Sequence, residues 1–302
     1  MPSSSPFFSV ILPTFNRGHL LRDTIRAVLI QEFTNFEFII IDDASTDNTQ
    51  EILRELHDPR MISIINPNNL ERSASRNLGI DRAKGRYICF CDSDDHWEKN
   101  HLITLYKTIK INPNAIFIST LCRYIENGKA RDELSWNQHH KAIKNCRDVI
   151  FYNEPPPSSS CYQKQAAPDL RFNPGLVVNE DVDFFCRLVS KAGSLCSICL
   201  VDAVTVNFFV HNQNTRAQYN DFVARELYAK KQLVGRLKIS KRIAHEKLRS
   251  CRHRYVNSFK RKDSRKLIAW GFALVGYLVR YPKDKTNKSK LYDFLHQGLR
   301  IL

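Results

Sequence analysis

The first hundred residues repeat one pattern, in which a β-rich apolar run is followed by a polar turn and then by an amphipathic helical stretch. Apolar runs that are separated by helices rather than by tight turns are typical of βαβ units, whose strands lie parallel in one sheet. The pattern predicts strands at residues 7–13, 36–42, 61–65, 86–91 and 115–119, and helices at 19–31, 46–56, 73–84 and 98–111. Ser45 or Thr46 is expected to cap the second helix. We therefore expect an α/β fold, with a mostly parallel sheet flanked by helices.

The periodicity fades between residues 123 and 168, a polar stretch that contains Glu154-Pro-Pro-Pro-Ser-Ser-Ser160. Clusters of proline and serine indicate loops and short strands. Loops carried on a rigid sheet commonly determine specificity, so we expect this stretch to select the substrate. A helical pattern returns at 180–191 and, beyond residue 220, at 222–233, 239–259 and 265–281.

The distribution of charge divides the chain into two regions. Residues 1–215 carry 23 Lys and Arg against 25 Asp and Glu, whereas residues 216–302 carry 23 against 6, a net charge of +17. We expect a catalytic domain over residues 1–215 and a basic α-helical region over residues 216–302. Such a basic region implies an anionic partner, which is either a membrane surface or a nucleic acid.

An uncharged apolar segment, residues 267–279, lies inside the basic region. As a helix it would reach only about 20 Å, which is short of the roughly 30 Å hydrocarbon core of a bilayer. Apolar burial and basic charge reinforce each other at an anionic membrane surface, although the segment is also suited to packing against the catalytic domain. We expect peripheral attachment to an anionic membrane surface.

Two features favour a reducing compartment. The first ten residues contain no basic region ahead of an apolar stretch, which argues against a signal peptide. The nine cysteines are scattered, and several lie in apolar runs, where a thiol acts as a small buried side chain. We expect a cytoplasmic protein that lies on the cytoplasmic face of the membrane.

Acidic side chains follow two of the predicted strands, at the edge where open parallel sheets bind ligands. Asp42 and Asp43 end the second strand; a carboxylate there can accept a hydrogen bond from a nucleotide, although both residues also fit a helix cap. Asp92, Asp94 and Asp95 follow the fourth strand. Crowded carboxylates of this kind are commonly stabilised by a cation, and oxygen ligands suit Mg²⁺ or Mn²⁺ together with phosphate oxygens.

A further acidic pair, Glu180 and Asp181, begins the helix predicted at 180–191. A carboxylate placed near a reactive carbon can accept the proton of an attacking hydroxyl, although acids in a first helical turn are also favoured by the helix dipole alone. No Gly-x-Gly-x-x-Gly follows the first strand, and the chain contains no Walker loop. Their absence argues against a dehydrogenase and against an NTPase.

Taken together, these segments resemble the inverting family 2 glycosyltransferases of the GT-A fold, over about residues 9–215. The resemblance rests on Ser9-Val-Ile-Leu-Pro-Thr-Phe-Asn-Arg17, Asp42-Asp-Ala-Ser-Thr-Asp47, Ser73-Ala-Ser-Arg-Asn-Leu-Gly79, Lys84-Gly-Arg-Tyr-Ile88, the Asp-x-Asp at 92–94 and the Glu-Asp at 180–181. It implies transfer of a sugar from a nucleotide-sugar donor, expected to be a UDP-sugar, to a hydroxyl of a glycan or lipid-linked glycan acceptor. It also implies Mg²⁺ or Mn²⁺ as the cofactor.

The resemblance assigns the donor site to residues at the strand ends. Asp43 would hold the nucleotide base, and Pro13, Thr14 and Asn16 would line that pocket. Asp92 would lie near the ribose or the sugar.

The diphosphate end of the donor site is assigned in the same way. Asp94, with Asp95 as the alternative, would coordinate the metal that bridges the diphosphate. Arg76 would steady the donor, although it is equally suited to pairing with a nearby acid. His211 would lie near the diphosphate or the metal; a lone histidine is more often a hydrogen-bonded surface or core group.

The resemblance makes Asp181 the general base, with Glu180 supporting the acceptor site. A single in-line displacement would then invert the anomeric centre. One rival interpretation is a nucleotide-sugar-binding protein without turnover. Another is a nucleic-acid-binding protein, based on aromatic residues in the basic region such as Tyr255, Phe259 and Trp270. It leaves the acidic strand ends unexplained, so we expect no nucleic-acid partner.

Overall fold

The computed structural model describes residues 5–126, 128–133, 144–176, 178–190, 197–210 and 222–260. The strands are β1 (Phe8–Thr14), β2 (Phe36–Asp42), β3 (Met61–Ile65), β4 (Tyr87–Phe90), β5 (Asp95–Trp97), β6 (Phe117–Glu126), β7 (Lys129–Glu133), β8 (Ser160–Gln163) and β9 (Ile198–Val210). The helices are α1 (Gly18–Leu29), α2 (Thr49–Glu55), α3 (Glu71–Arg82), α4 (His101–Ile111), α5 (Cys146–Asn153), α6 (Glu180–Val189), α7 (Phe222–Arg236) and α8 (Lys241–Lys260). The expected α/β fold is confirmed.

The strands form a single sheet in the order β3-β2-β1-β4-β8-β6-β9-β5, with β7 paired to β6. Strands β3, β2, β1 and β4 are parallel to one another. Strand β8 is antiparallel to both of its neighbours, whereas β6 and β9 are parallel to each other. The sheet is therefore parallel in the half that carries the acidic strand ends and mixed in the other half.

Both faces of the central strands are covered, which is why these strands read as continuous apolar runs. Successive side chains alternate between the faces, so Val10 and Leu12 pack with α1 and α4, whereas Ile11 and Ile39 pack with α3, α5 and α6. The apolar packing fixes the register of the strands. It thereby places their carboxyl ends at one edge.

The strand predicted at 115–119 exists as β6, but it does not lie beside β4. Strand β8, Ser160–Gln163, is inserted between them and pairs with both. The stretch 123–168, interpreted from the sequence as loops and short strands, also contains helix α5. This four-residue strand has only Cys161 and Tyr162 between two polar residues, which is too short an apolar pattern to detect.

The helix cap predicted at Ser45 or Thr46 is wrong. Helix α2 begins at Thr49, and Asn48 occupies the capping position without a side-chain hydrogen bond. The Ser45 hydroxyl instead accepts a hydrogen bond of 2.8 Å from the Asn16 N–H. Ser45 therefore joins two loops at the carboxyl edge of the sheet rather than starting a helix.

The first part of the basic region packs against helices α5 and α6. Leu233 of α7, Leu237 just after it and Ile243 of α8 share one buried cluster with Val149 of α5 and Phe185 of α6. The division at residue 215 stays a prediction. The segment 267–279 lies outside the described residues, and no helix among those described is both long enough and apolar enough to cross a bilayer.

A buried glycine turn closes the amino-terminal edge of the sheet. One Glu37 carboxylate oxygen accepts hydrogen bonds from the Ser9 hydroxyl (2.6 Å), the Lys84 N–H (2.5 Å) and the Gly85 N–H (3.1 Å). A Cβ atom added at Gly85 would lie 2.5 Å from the Ser9 nitrogen and 2.6 Å from the Phe8 carbonyl carbon. The turn thus depends on glycine, because both neighbours are backbone atoms.

We predict that Gly85→Ala lowers the free energy of unfolding by about 1–3 kcal/mol, the usual cost of forcing atoms into a packed site. Gly235→Ala is the matched control, because a Cβ at that helical position meets no atom within 4 Å. The control should raise the free energy of unfolding by about 0.5–1 kcal/mol, since alanine is the better helix former. Urea titrations measure both; equal effects of the two substitutions would contradict the close-approach argument.

Candidate active site

An open cleft with a volume of about 390 Å³ lies at the carboxyl ends of β1, β2 and β4. Seven of the residues singled out from the sequence line it: Pro13, Thr14, Asn16, Asp43, Arg76, Asp92 and Asp94. The remaining lining residues are Phe15, Arg17, Asn69, Glu71, Arg72, Ser75 and Ser93. The parallel register of three strands brings these distant segments together.

Asp43 is fixed by two donors that sequence reasoning missed. One of its oxygens, Oδ1, accepts hydrogen bonds from the Asn66 side chain (2.7 Å) and from the Leu70 N–H (2.9 Å). The Asn66 amide also donates to the Ser75 hydroxyl (3.1 Å). Asn66 directly follows β3, so the rule that pointed to the other strand ends also applies to it. These bonds hold the Asp43 carboxylate against the cleft wall.

Asn16 both lines the cleft and braces its wall. Its backbone has a φ of 52°, a left-handed conformation that asparagine tolerates better than most residues. Its N–H donates to the Ser45 hydroxyl, and its side-chain oxygen accepts from the Thr46 N–H, both at 2.8 Å. The loops that follow β1 and β2 are thereby joined into one wall.

The three aspartates after β4 do not all face the cleft. Residues 92–95, hereafter the acidic turn, are closed by a hydrogen bond of 3.0 Å from the Asp95 N–H to the Asp92 carbonyl. Asp92 and Asp94 line the cleft, whereas Asp95 points into the protein and is 3% exposed. Burial, followed by the charges of Asp94 and Asp92, raises the pKa of Asp95 well above its usual range. Asp95 is therefore less suited than Asp94 to contact a ligand.

Arg76 links the acidic turn to the start of α6. Its guanidinium lies 2.5 Å from the Asp92 carboxylate and 3.3 Å from that of Glu180, and its side chain is only 2% exposed. Arg72 lies 3.0 Å from the same Glu180 oxygen. The sequence left two roles open for Arg76, which were steadying the donor and pairing with a nearby acid. The structure shows the pairing with acids. These charges raise the pKa of Arg76 although burial opposes the effect.

Asp181 lies beside this network but, like Glu180, is not part of the cleft lining. Its Oδ1 accepts a hydrogen bond of 2.8 Å from the Val182 N–H. Asp181 is partly exposed to solvent, but protein atoms surround most of it. Desolvation, together with the charge of Glu180, raises the pKa of Asp181 to about 7. The Val182 hydrogen bond and the two arginines act in the opposite direction. A carboxylate with this pKa can both take up and release a proton near neutral pH.

Comparison with known proteins decides the family. A sequence model of glycosyl transferase family 2 matches residues 9–162, a little over half of the chain. The chain belongs to glycosyl transferase family 2. The family that the sequence resemblance indicated is therefore confirmed.

The relatives and solved structures agree with this family and fold. A glucosyltransferase from Campylobacter jejuni, named as a GalNAc(5)-diNAcBac-PP-undecaprenol beta-1,3-glucosyltransferase, is 26% identical over 98% of this chain and 89% of its own. TarS from S. aureus, solved with UDP-GlcNAc, has a TM-score of 0.61 at 20% identity, covering 75% of this chain and 66% of that one. The mannosyltransferase PcManGT from Pyrobaculum calidifontis, solved with GDP-Man and Mn²⁺, has a TM-score of 0.55 at 16% identity, covering 96% and 84%. The expected GT-A fold is confirmed.

Several curated relatives align over only part of their length. The first four are 39% to 41% identical to this family 2 chain, yet the matched regions make up between 20% and 41% of those proteins. The chain therefore spans less than half the length of these relatives.

The acidic turn suits a hard divalent cation. Asp94 places carboxylate oxygens in the cleft, and Mg²⁺ or Mn²⁺ is commonly held by one or two carboxylates together with phosphate oxygens and water. Among the residues that the structure describes, no group of three His, Cys, Asp or Glu side chains forms a metal cage. His211 lies outside the described residues.

Proposed function

We propose that this family 2 enzyme is an inverting glycosyltransferase. In this proposal, it transfers a sugar from a nucleoside diphosphate sugar to a hydroxyl of a glycan or lipid-linked glycan, with Mg²⁺ or Mn²⁺ as cofactor. The observation that carries the proposal is the continuous charged path from the cleft to α6. Asp92 contacts Arg76, Arg76 contacts Glu180, and Glu180 precedes Asp181.

The donor is proposed to lie along the cleft from Asp43 to the acidic turn. Asp43 would contact the nucleotide base, with Pro13, Thr14 and Asn16 around it, and Asp92 would contact the ribose or the sugar. Asp94 would hold the metal against the diphosphate. A UDP-sugar is the proposed donor, in line with the structural similarity to TarS, which was solved with UDP-GlcNAc.

The proposed chemistry is one displacement at the anomeric carbon. The acceptor oxygen forms a bond to this carbon as the bond to the diphosphate oxygen breaks, and the hydroxyl proton passes to Asp181. Attack from the face opposite to the leaving group inverts the anomeric centre. When bound, the divalent cation supplies positive charge beside the departing diphosphate. Glu180, held by Arg72 and Arg76, supports the acceptor side.

A lipid-linked acceptor would be reached in the plane of a membrane. The relative from C. jejuni is named for an undecaprenol-linked substrate and aligns over nearly the whole of this chain. Residues 216–302 carry a net charge of +17 around the apolar segment 267–279. We propose that this region attaches the enzyme to the cytoplasmic face of an anionic membrane.

The metal assignment predicts that nucleoside diphosphate binding requires a divalent cation. Repulsion between the phosphates and the carboxylates of the acidic turn otherwise disfavours the complex. Calorimetry with UDP should show binding in Mn²⁺ that is lost with a chelator and lost in Asp94→Ala. Asp23→Ala removes an exposed carboxylate outside the cleft and should bind normally. Equal affinity with and without chelator would refute the metal assignment.

The base assignment predicts a separation of chemistry from binding. Asp181→Asn should bind donor normally while turnover falls by at least about 10²-fold, the usual scale for a positioned general base. The exposed Asp81, which pairs with Arg171, provides the control substitution Asp81→Asn. Near-normal turnover of Asp181→Asn would mean that another group is the base.

The same assignment fixes the direction of the pH dependence. The pKa of Asp181 is raised to about 7, so the base is protonated below that pH, and kcat/KM should fall as the pH decreases through about 7. Glu180→Gln removes a neighbouring negative charge that raises the pKa of Asp181, so this variant should lose activity only at a lower pH. An unchanged acidic limb in Glu180→Gln would contradict this electrostatic account.

The membrane proposal predicts salt-sensitive binding to anionic lipids. The full-length protein should float with anionic liposomes at low salt, and less at high salt, because salt screens the attraction. Neutral liposomes are the control. A protein that stays in the soluble fraction with anionic liposomes at low salt would exclude this mode of attachment.

A further inference from the structure

The segment Glu154-Pro-Pro-Pro-Ser-Ser-Ser160, whose composition indicated loops and short strands, has its three serines buried. Ser158, Ser159 and Ser160 are completely buried, and residues 157–159 form one turn of 3₁₀ helix that leads into β8. Ser158 contacts the acidic turn, and no residue of the segment is part of the cleft lining. Its buried serines therefore act through contacts within the protein.

Ser158 makes three hydrogen bonds, and all of them go to the acidic turn or to the tryptophan just after it. Its hydroxyl accepts from the Asp92 N–H at 2.9 Å and donates to the Asp95 carboxylate at 2.5 Å. Its carbonyl accepts from the Trp97 indole N–H at 2.9 Å. One hydroxyl therefore joins the first and last residues of the turn.

A serine hydroxyl is suited to this position because it can donate and accept at the same time. Without it, the Asp92 N–H and the buried Asp95 carboxylate would both lose a partner in a site that is closed to water. From α1, the Thr24 hydroxyl donates to the Ser93 carbonyl at 3.0 Å. The turn that presents Asp92 and Asp94 to the cleft is thus held by α1 and by Ser158.

The other end of the segment is anchored by buried charge. Glu154, at the carboxyl end of α5, accepts hydrogen bonds of 2.8 and 2.9 Å from Lys230, and Lys247 lies 3.0 Å away. Lys230 is 1% exposed and also contacts Glu226. Three prolines, each with a fixed φ, separate this anchor from Ser158. The segment is a short rigid connection between α7 and the acidic turn.

We propose that Ser158 is a positioning residue for the metal and diphosphate site. By fixing Asp92 and Asp95, it sets the orientation of Asp94 in the cleft. This inference rests on the proposed function, in which Asp94 holds the divalent cation. A buried serine outside the cleft would thereby affect cation-dependent nucleotide binding.

Ser160 offers a matched control in the same segment. It is as buried as Ser158 and its hydroxyl also makes two hydrogen bonds, to the Ser119 hydroxyl (2.9 Å) and to the Pro156 carbonyl (2.7 Å). Neither partner belongs to the acidic turn. Ser158→Ala and Ser160→Ala therefore remove the same atom and similar bonds, with different expected effects on the cleft.

The experiment measures UDP affinity in Mn²⁺ by calorimetry and the thermal unfolding temperature of each variant. We expect Ser158→Ala to weaken Mn²⁺-dependent UDP binding by about tenfold. This is the lower end of the usual loss of affinity when a hydrogen-bond partner behind a metal ligand is removed. Ser160→Ala should change the UDP affinity by less than about twofold. Both should lower the unfolding temperature. If Ser158→Ala does not fold, Ser158→Cys and Ser160→Cys keep the side-chain volume while weakening the hydrogen bonds, and the same contrast is expected.

Equal UDP affinity of the Ser158 and Ser160 variants would overturn the positioning role while leaving the proposed function in place. Failure of the wild-type protein to bind UDP with Mn²⁺ would overturn both. A tenfold loss confined to the Ser158 variants supports the proposal.

Discussion

The structure depends on one buried guanidinium. Arg76 is almost completely enclosed, and a buried charge is tolerated only where opposite charges compensate for the lost hydration. Asp92 and Glu180 provide that compensation from two segments that are far apart in the sequence, the end of β4 and the start of α6. Removing either acid would leave the arginine short of a partner. The ion pairs therefore hold the carboxyl edge of the sheet against α6, the helix that carries the proposed base.

A second set of buried charges ties the carboxyl-terminal helices to the same unit. Asp183 on α6 pairs with Arg187 at 2.9 Å and with Arg236 of α7, and Asp148 of α5 accepts a hydrogen bond of 2.9 Å from the Ser240 N–H. Both carboxylates are completely buried. Arg236 of α7 and Ser240, which directly precedes α8, thus add partners to acids of α6 and α5. Arg236 has a structural role here, besides the membrane role proposed for the region as a whole.

The sequence was most informative where one local rule governs structure. Strands β2 and β3 appear at the predicted residues, because an apolar run of fixed period needs no distant partner to be recognised. A second rule is that the carboxyl ends of parallel strands meet at one edge of the sheet. This rule placed Asp43, Asp92 and Asp94 together at that edge.

What the sequence did not show depends on contacts between distant residues. The inward direction of Asp95 requires Ser158, 63 residues later, and the position of Asp43 requires Asn66 and Leu70. The segment around Ser158 resembled a loop because it is rich in proline and serine. Its serine hydroxyls are nevertheless buried and bonded to the protein rather than to water. Composition records that a residue is polar, but not whether its partner is protein or solvent.

We propose that this cleft binds a nucleotide-activated sugar and cleaves its bond to the diphosphate. A screen of nucleotide sugars for slow hydrolysis by the wild-type enzyme in Mn²⁺ or Mg²⁺ tests this role, because hydrolysis requires no knowledge of the acceptor. We expect cation-dependent release of a nucleoside diphosphate from at least one donor, with UDP-sugars foremost. Release from none of the donors, or release that persists undiminished in a chelator, would contradict this role of the cleft.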